Sequence, residues 1–197
     1  MLVLVRHGQA TANAAGLLLG RSDAPLTAEG RRQAEALGAY LQRPGHDVVA
    51  GLVSSPLRRA VDTAEALGLD RPIVVDPRWI EIDYGVHEGQ ALTAVPADVW
   101  QAWRADPNYR PTGGESLAGL GGRVREACEE LMAPGADARS GGDVVVVSHV
   151  SPIKAAVAWA LGVGDELAWR LHLSTGSITR IGWGPDGPIV HGFNWVP

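Results

Sequence analysis

Two apolar runs constrain this chain more than anything else in it: Leu2-Val3-Leu4-Val5 and Val144-Val145-Val146-Val147. Neither alternates apolar with polar residues, so neither suits a strand with one wet face; such strands lie in a sheet covered on both sides. The first run stops in Arg6-His7-Gly8 and the second in Ser148-His149. In α/β proteins the carboxyl edge of buried strands is where ligands usually sit. Both strands deliver a histidine to that edge, which predicts the layer architecture and a polar crevice together.

The intervening segments fit helices and further strands. Thr27, an N-cap followed by Glu29 in the first turn, opens a helix over 27–42 with Ala34, Leu37 and Leu41 on one face. A strand is expected over 47–53. Ser55 and Pro56 then read as N-cap and first helical position, which puts Arg58 in the first turn of a helix running to Gly68. A short strand over 72–76 is bounded by prolines, residues 79–89 read as a loop with partial strand character, and a short helix is expected over 97–104. Ser116 opens a helix over 117–132, and residues 133–142 form a connection. After His149, Ser151 and Pro152 again read as N-cap and first helical position of a helix to 161. Two late strands, 177–183 and 189–193, are joined by Gly184-Pro185-Asp186-Gly187. Strands alternating with helices predict a three-layer α/β sandwich: a mostly parallel central sheet, helices on both faces and at least one antiparallel strand. At 197 residues the chain reads as one domain, 1–197.

Composition narrows the classes. Hydrophobic residues make up 46% and charged residues 20%, an ordinary globular balance that argues against disorder. No apolar run reaches spanning length, and no leader-like start precedes the first strand, so a cytoplasmic protein without a membrane partner is expected. The one cysteine, Cys128, cannot form an internal disulfide and sits among Glu126, Glu129 and Glu130, which disfavour its thiolate. A net charge of −5 argues against broad nucleic-acid binding but leaves room for a small positive pocket. Trp159, Trp169, Trp183 and Trp195 suit core or interface equally, so a homodimer stays open.

Strands ending at Arg6-His7, Ser54-Ser55 and Ser148-His149 can converge on one crevice. Two histidines, two arginines and two helix N-termini would meet there, a combination suited to a dianionic phosphate. A single histidine or arginine at a strand end is more often structural. Their adjacency, and its repetition after the four valines, favours function for Arg6, His7 and His149. A solvated Arg58 is unattractive because its charge would oppose the helix dipole, whereas its neighbour Arg59 reads as the solvated one. Other phosphate chemistries lack their motifs: there is no Gly-x-x-x-x-Gly-Lys loop, no Gly-x-Ser-x-Gly elbow, and no arginine shortly after Cys128 of the kind a cysteine phosphatase needs. His46, His87, His172 and His191 are scattered without metal-ligand spacing, so neither a metal nor another cofactor is required.

Several separated blocks resemble those of the histidine phosphatase superfamily, the phosphoglycerate mutase-like family, in the expected order. They are Arg6-His7-Gly8-Gln9-Ala10 with Asn13, then Gly20-Arg21-Ser22-Asp23-Ala24-Pro25-Leu26-Thr27, and Ser54-Ser55-Pro56-Leu57-Arg58-Arg59-Ala60 with Thr63-Ala64. Residues 79–89, Gly113-Gly114-Glu115-Ser116 and Val147-Ser148-His149 complete the set. The resemblance implies a phosphomonoester hydrolase for small phosphorylated metabolites. It makes His7 the transiently phosphorylated nucleophile, with Arg6, Arg58 and His149 on the phosphoryl oxygens and Asn13 and Arg21 assisting. It also makes Glu81 the acid/base; Asp83 and Glu88 are rival carboxylates, and spacing alone does not choose among the three. Val150 stands where the family usually has glycine, so its side chain is expected to narrow the substrate pocket. The alternatives are a cofactor-dependent mutase, disfavoured by a lid region 90–112 with few cations, and a non-catalytic phospholigand-binding module, which would need no acid. Trp100, Trp103 and Tyr109 suggest an aromatic lid or simple core.

Overall fold

The computed structural model describes residues 1–45 and 47–197; His46 lies outside the described residues. Six strands form the sheet: β1 (Leu2–Arg6), β2 (Val49–Ser54), β3 (Ile73–Val75), β4 (Asp143–Ser148), β5 (Ile178–Gly184) and β6 (Gly187–Trp195). Their spatial order is β3-β2-β4-β1-β5-β6. The first four run parallel, β5 is antiparallel to β1, and β6 is antiparallel to β5. The expected three-layer sandwich is therefore the observed one.

The helices are α1 (Thr11–Ala14), α2 (Ala28–Leu41), α3 (Arg58–Ala66), α4 (Ala97–Ala105), α5 (Leu117–Leu131), α6 (Asp137–Ser140) and α7 (Val150–Leu161). The apolar runs work as their composition demands. Val3, Val5, Val145 and Val147 pack with Leu37 and Leu41 of α2 and with Ala60 and Ala64 of α3. Leu2, Leu4, Val144 and Val146 join Leu120 and Val124 of α5 and Ile153 and Ala156 of α7. Alternate side chains of one strand thus feed two separate cores, which is why no polar residue interrupts it. Among the described residues no helix is long and apolar enough to cross a membrane.

Caps set the helix starts. Thr27 accepts the Gly30 N–H at 3.0 Å and Ser116 the Gly119 N–H at 3.1 Å, so α2 and α5 begin where their caps predict. Two other starts are displaced. Ser55 is not the cap of α3: its hydroxyl receives the Leu57 N–H in a loose turn, and the helix begins at Arg58. Nor does Ser151 cap α7; His149 is the N-cap, its carbonyl accepting the Ile153 N–H at 3.2 Å. Residues 79–89 carry no strand; 3₁₀ turns at Pro77–Trp79 and Gly85–His87 shape that loop instead.

One close approach anchors the first loop. A Cβ on Gly8 would lie 2.1 Å from the Gly30 carbonyl, and one on Gly30 equally near the Gln9 carbonyl. Backbone therefore packs directly on backbone where α2 meets the turn after β1, and that contact fixes the segment behind His7.

Candidate active site

The carboxyl ends of β1, β2 and β4 converge as their registers require, with Arg6 paired to Ser148 and Ser54 to Val147. A cavity of about 260 Å³ opens there, walled by Arg6, His7, Asn13, Leu17, Leu18, Leu19, Glu81, Tyr84, Leu92 and Val150.

His7 is buried, and both ring nitrogens are engaged. Nδ1 lies 2.7 Å from the Gly8 carbonyl and Nε2 lies 3.2 Å from Nε of Arg59. A carbonyl only accepts and a guanidinium only donates, so Nδ1 carries the proton and Nε2 presents its lone pair. Burial, with Arg59 and Arg6 close by, holds the imidazole well below its ordinary pKa and keeps it neutral. His149, also buried, lies with its ring centroid 5.0 Å from that of His7, and its Nε2 meets the Ser55 hydroxyl at 2.7 Å. Burial and the same two arginines, with His7 beside it, keep it neutral too.

The sequence expectation for the second arginine is reversed. Arg58 is 61% exposed and pairs with Asp62 across one turn of α3 at 3.5 Å. Arg59 is fully buried. It donates from Nη2 to Gly20 O at 2.6 Å and from Nη1 to Ser22 O at 2.8 Å, besides its contact with His7. Three of its five N–H groups are thus used, leaving two for an anion. Neighbouring helical residues point about 100° apart, so the two arginines face different ways, and it is Arg59 that turns toward His7 while Arg58 turns to solvent. Arg6 donates from Nη1 to Leu173 O at 2.5 Å, while its buried Nε–H has no partner among the described residues. Desolvation brings its pKa down to about 10, so it stays cationic at neutral pH.

Geometry also separates the three carboxylates. Glu88 accepts the Gly20 and Ser22 N–H groups at 2.9 and 3.1 Å and the Ser22 hydroxyl, and Asp83 accepts the Gly85 N–H at 2.9 Å and pairs with Arg21. Glu81 is the one on the cavity wall. Its Oε1 receives the Ile82 N–H at 2.8 Å and the Ser151 N–H at 3.2 Å. Burial raises its pKa against the pull of those amides and of Arg59 and Arg6.

Asn13 reaches the wall while its Oδ1 caps α1 through the Ala10 N–H at 3.0 Å. Arg21 does not: it is tied to Asp83 at 3.3 Å and Glu115 at 3.2 Å outside the cavity. His87, half-buried, and the exposed His172 and His191 are absent from the wall. Sequence reasoning missed Arg59 as the buried partner of His7, and it missed Ser55 as the partner of His149. It also missed Arg123, which donates to the carbonyls of Arg78 at 2.6 Å and Glu81 at 3.4 Å while Glu115 grips it through both oxygens at 2.9 Å. The Gly113–Ser116 block therefore braces the Glu81 loop from behind. Glycines before Glu115 were the available signal, since a Cβ on Gly114 would meet Pro111 at 2.5 Å.

A neutral histidine with an oriented lone pair, two buried guanidiniums and a buried carboxyl of raised pKa thus meet at the end of the first strand of an α/β protein. The chain belongs to the histidine phosphatase superfamily, whose branch 1 model matches residues 2–196. It is 36% identical over 193 residues to a bifunctional protein of Mycobacterium tuberculosis, covering 94% of this chain and 51% of that protein. The chain thus spans about half the length of this relative. It is 34% identical over 189 residues to phosphoserine phosphatase 1 of Hydrogenobacter thermophilus, covering 91% of this chain and 85% of that one. Among solved structures, a mycobacterial glucosyl-3-phosphoglycerate phosphatase in complex with VO3 superposes with a TM-score of 0.86 at 32% identity, covering 98% of both chains. Bacterial proteins named as phosphoglycerate mutases match at 31% identity.

Proposed function

We propose that this chain hydrolyses small phosphorylated metabolites, as phosphomonoesters, through a phosphohistidine on Nε2 of His7. The observation that carries the proposal is the fixed tautomer of His7: its proton sits on Nδ1 against the Gly8 carbonyl, so Nε2 can attack phosphorus without first losing a proton. Arg6, Arg59 and His149 surround the reacting oxygens and offset the charge that spreads over them. Glu81, whose proton affinity burial raises, gives its proton to the leaving alkoxide. Now ionised, it takes a proton from the water that attacks the phosphohistidine, which returns His7 and inorganic phosphate. Asn13 and Val150 line the leaving-group side of the cup.

Hydrolysis is favoured over mutase chemistry because Arg6 is the one lysine or arginine among the residues that wall this cavity and four of the others are Leu17, Leu18, Leu19 and Leu92, which offer nothing to hold a bisphosphate while it turns. The buried acid weighs against a binding module without turnover. We assign residues 1–197 to one catalytic domain and place it in the cytoplasm, in keeping with a lone, buried thiol.

The test uses ³²P-labelled substrate and an alkaline quench. Label should appear on the protein, wash out after mild acid, and be absent from His7→Ala, which should also lose turnover. Full turnover by His7→Ala would overturn the mechanism.

A further inference from the structure

Beside the cup lies a second cavity of about 160 Å³, walled chiefly by Trp100, Trp103, Trp169, Leu92, Val150 and Lys154. It shares Leu18, Tyr84, Leu92 and Val150 with the cup, so the two cavities adjoin across these side chains, one more polar and one more apolar. A cavity of about 150 Å³ holds a benzene ring, so the apolar end has the volume for one six-membered ring and little more. Its walls are suited to a flat one: Trp100 stacks on Trp103 at 5.7 Å and meets Trp169 edge-on at 6.2 Å.

Lys154 sets the polarity. It is the chain's only lysine, half-buried on the face of α7 that also carries Val150 one turn earlier. Its ammonium donates to Ala168 O at 2.8 Å, and no carboxylate pairs with it among the described residues. The arginines of this chain repeatedly find carboxylates, at Asp62, Asp76, Asp83, Glu115, Glu130 and Asp143. Glu81 acts on it only at a distance, with no direct ion pair, so this desolvated cation facing an aromatic slot is poised for an anion brought by the ligand. Burial lowers its pKa against the opposing pull of Glu81, and Arg6 lowers it further.

Building on the phosphatase reading, the geometry points to a leaving group with a planar apolar ring and an anionic substituent, the ring among Trp100, Trp103 and Trp169 and the anion against Lys154. Lys154 is then a specificity residue, and Val150 divides phosphoryl end from ring end.

The experiment compares 4-carboxyphenyl phosphate with its neutral isostere 4-carbamoylphenyl phosphate, and both with 2-phosphoglycolate, which has the anion but no ring. Wild-type protein should prefer the carboxyphenyl ester over the carbamoyl ester by about tenfold or more in kcat/KM, the scale of one charge-assisted contact. Lys154→Met should bring that ratio close to one. Trp100→Ala should erode the preference for either aryl ester over 2-phosphoglycolate, chiefly through KM. A wild-type ratio of one or below overturns the inference even if Lys154→Met fails to fold, and so does a ratio that survives in folded Lys154→Met. No turnover of any of the three esters would instead refute the phosphatase reading, so the two failures are distinguishable.

Discussion

Replacing Arg59 and Arg58 separately with methionine is the sharpest test of how this site is built, because the two neighbours have opposite structural roles. Methionine keeps the length and apolar stem of arginine while removing every donor. At position 59 the Gly20 carbonyl, in a buried hydrogen bond, loses its partner, whereas the exposed Ser22 can turn to water. One unsatisfied buried acceptor costs about 1–3 kcal/mol. For a chain of this length that is a fall in Tm of roughly 2–12 °C, at about 2–4 °C per kcal/mol. The kinetic loss should be larger, since removing one preorganised donor from a developing anion costs about 10²–10³ in kcat. Arg59 also helps hold His7 below its ordinary pKa. Its removal lets the imidazole protonate more readily, so the acidic limb of kcat/KM moves to higher pH. At position 58 only an exposed pair with Asp62 is lost. Such pairs contribute about 0.3–0.5 kcal/mol, so Tm should shift by no more than about 2 °C and kcat by less than about twofold. Steady-state rates on 4-nitrophenyl phosphate with thermal unfolding by circular dichroism measure both. A folded Arg59→Met within tenfold of wild type, or an Arg58→Met as impaired as Arg59→Met, would refute the reasoning.

Glu81 must begin protonated, so turnover of an alkyl phosphate should fall as pH rises through its raised pKa; Glu81→Gln should lose far more on the alkyl ester than on 4-nitrophenyl phosphate, whose leaving group needs no proton, and equal losses would remove Glu81 from the acid role. Ser55→Ala deprives His149 of its 2.7 Å partner, and with it about 1 kcal/mol of positioning, so kcat should drop several-fold with KM for phosphate esters nearly unchanged in single-turnover and steady-state assays. Gly8→Ala drives a methyl group into the Gly30 carbonyl. The resulting overpacking, about 3 kcal/mol, should lower Tm by roughly 6–12 °C in calorimetry.

Much of this architecture is legible from local chemistry. Uninterrupted apolar runs force doubly covered strands, and Thr27 and Ser116 cap the helices they precede, because those signals depend on a few adjacent residues. The arginine assignment fails for a different reason. Ser55-Pro56 has the composition of a cap, yet the Ser55 hydroxyl is drawn to His149, a residue 94 positions away, and the helix waits until Arg58. A tertiary contact overrode the local signal, and the helix starts two residues later than its composition predicts, with Arg59 rather than Arg58 turned toward His7. The start of α7 moved the other way because the Ser151 amide serves Glu81 and so lies within the first turn. Choosing Glu81 over Asp83 and Glu88 likewise needs the fold: all three sit in one acidic loop, and only the contacts from Gly20, Ser22 and Arg21 occupy the other two.

The placement of α7 has a consequence for how such a protein diversifies. In the proposed mechanism its first turn serves the chemistry, with His149 at the cap and the Ser151 amide on Glu81, while its second turn presents Lys154 to the neighbouring aromatic slot. On that reading one rigid rod carries both the demands of phosphoryl transfer and those of substrate choice, separated by about 6 Å of helical rise. Mutational drift in the second turn can change which esters are accepted while the reacting groups stay in register, so new substrates can arise here without rebuilding the catalyst.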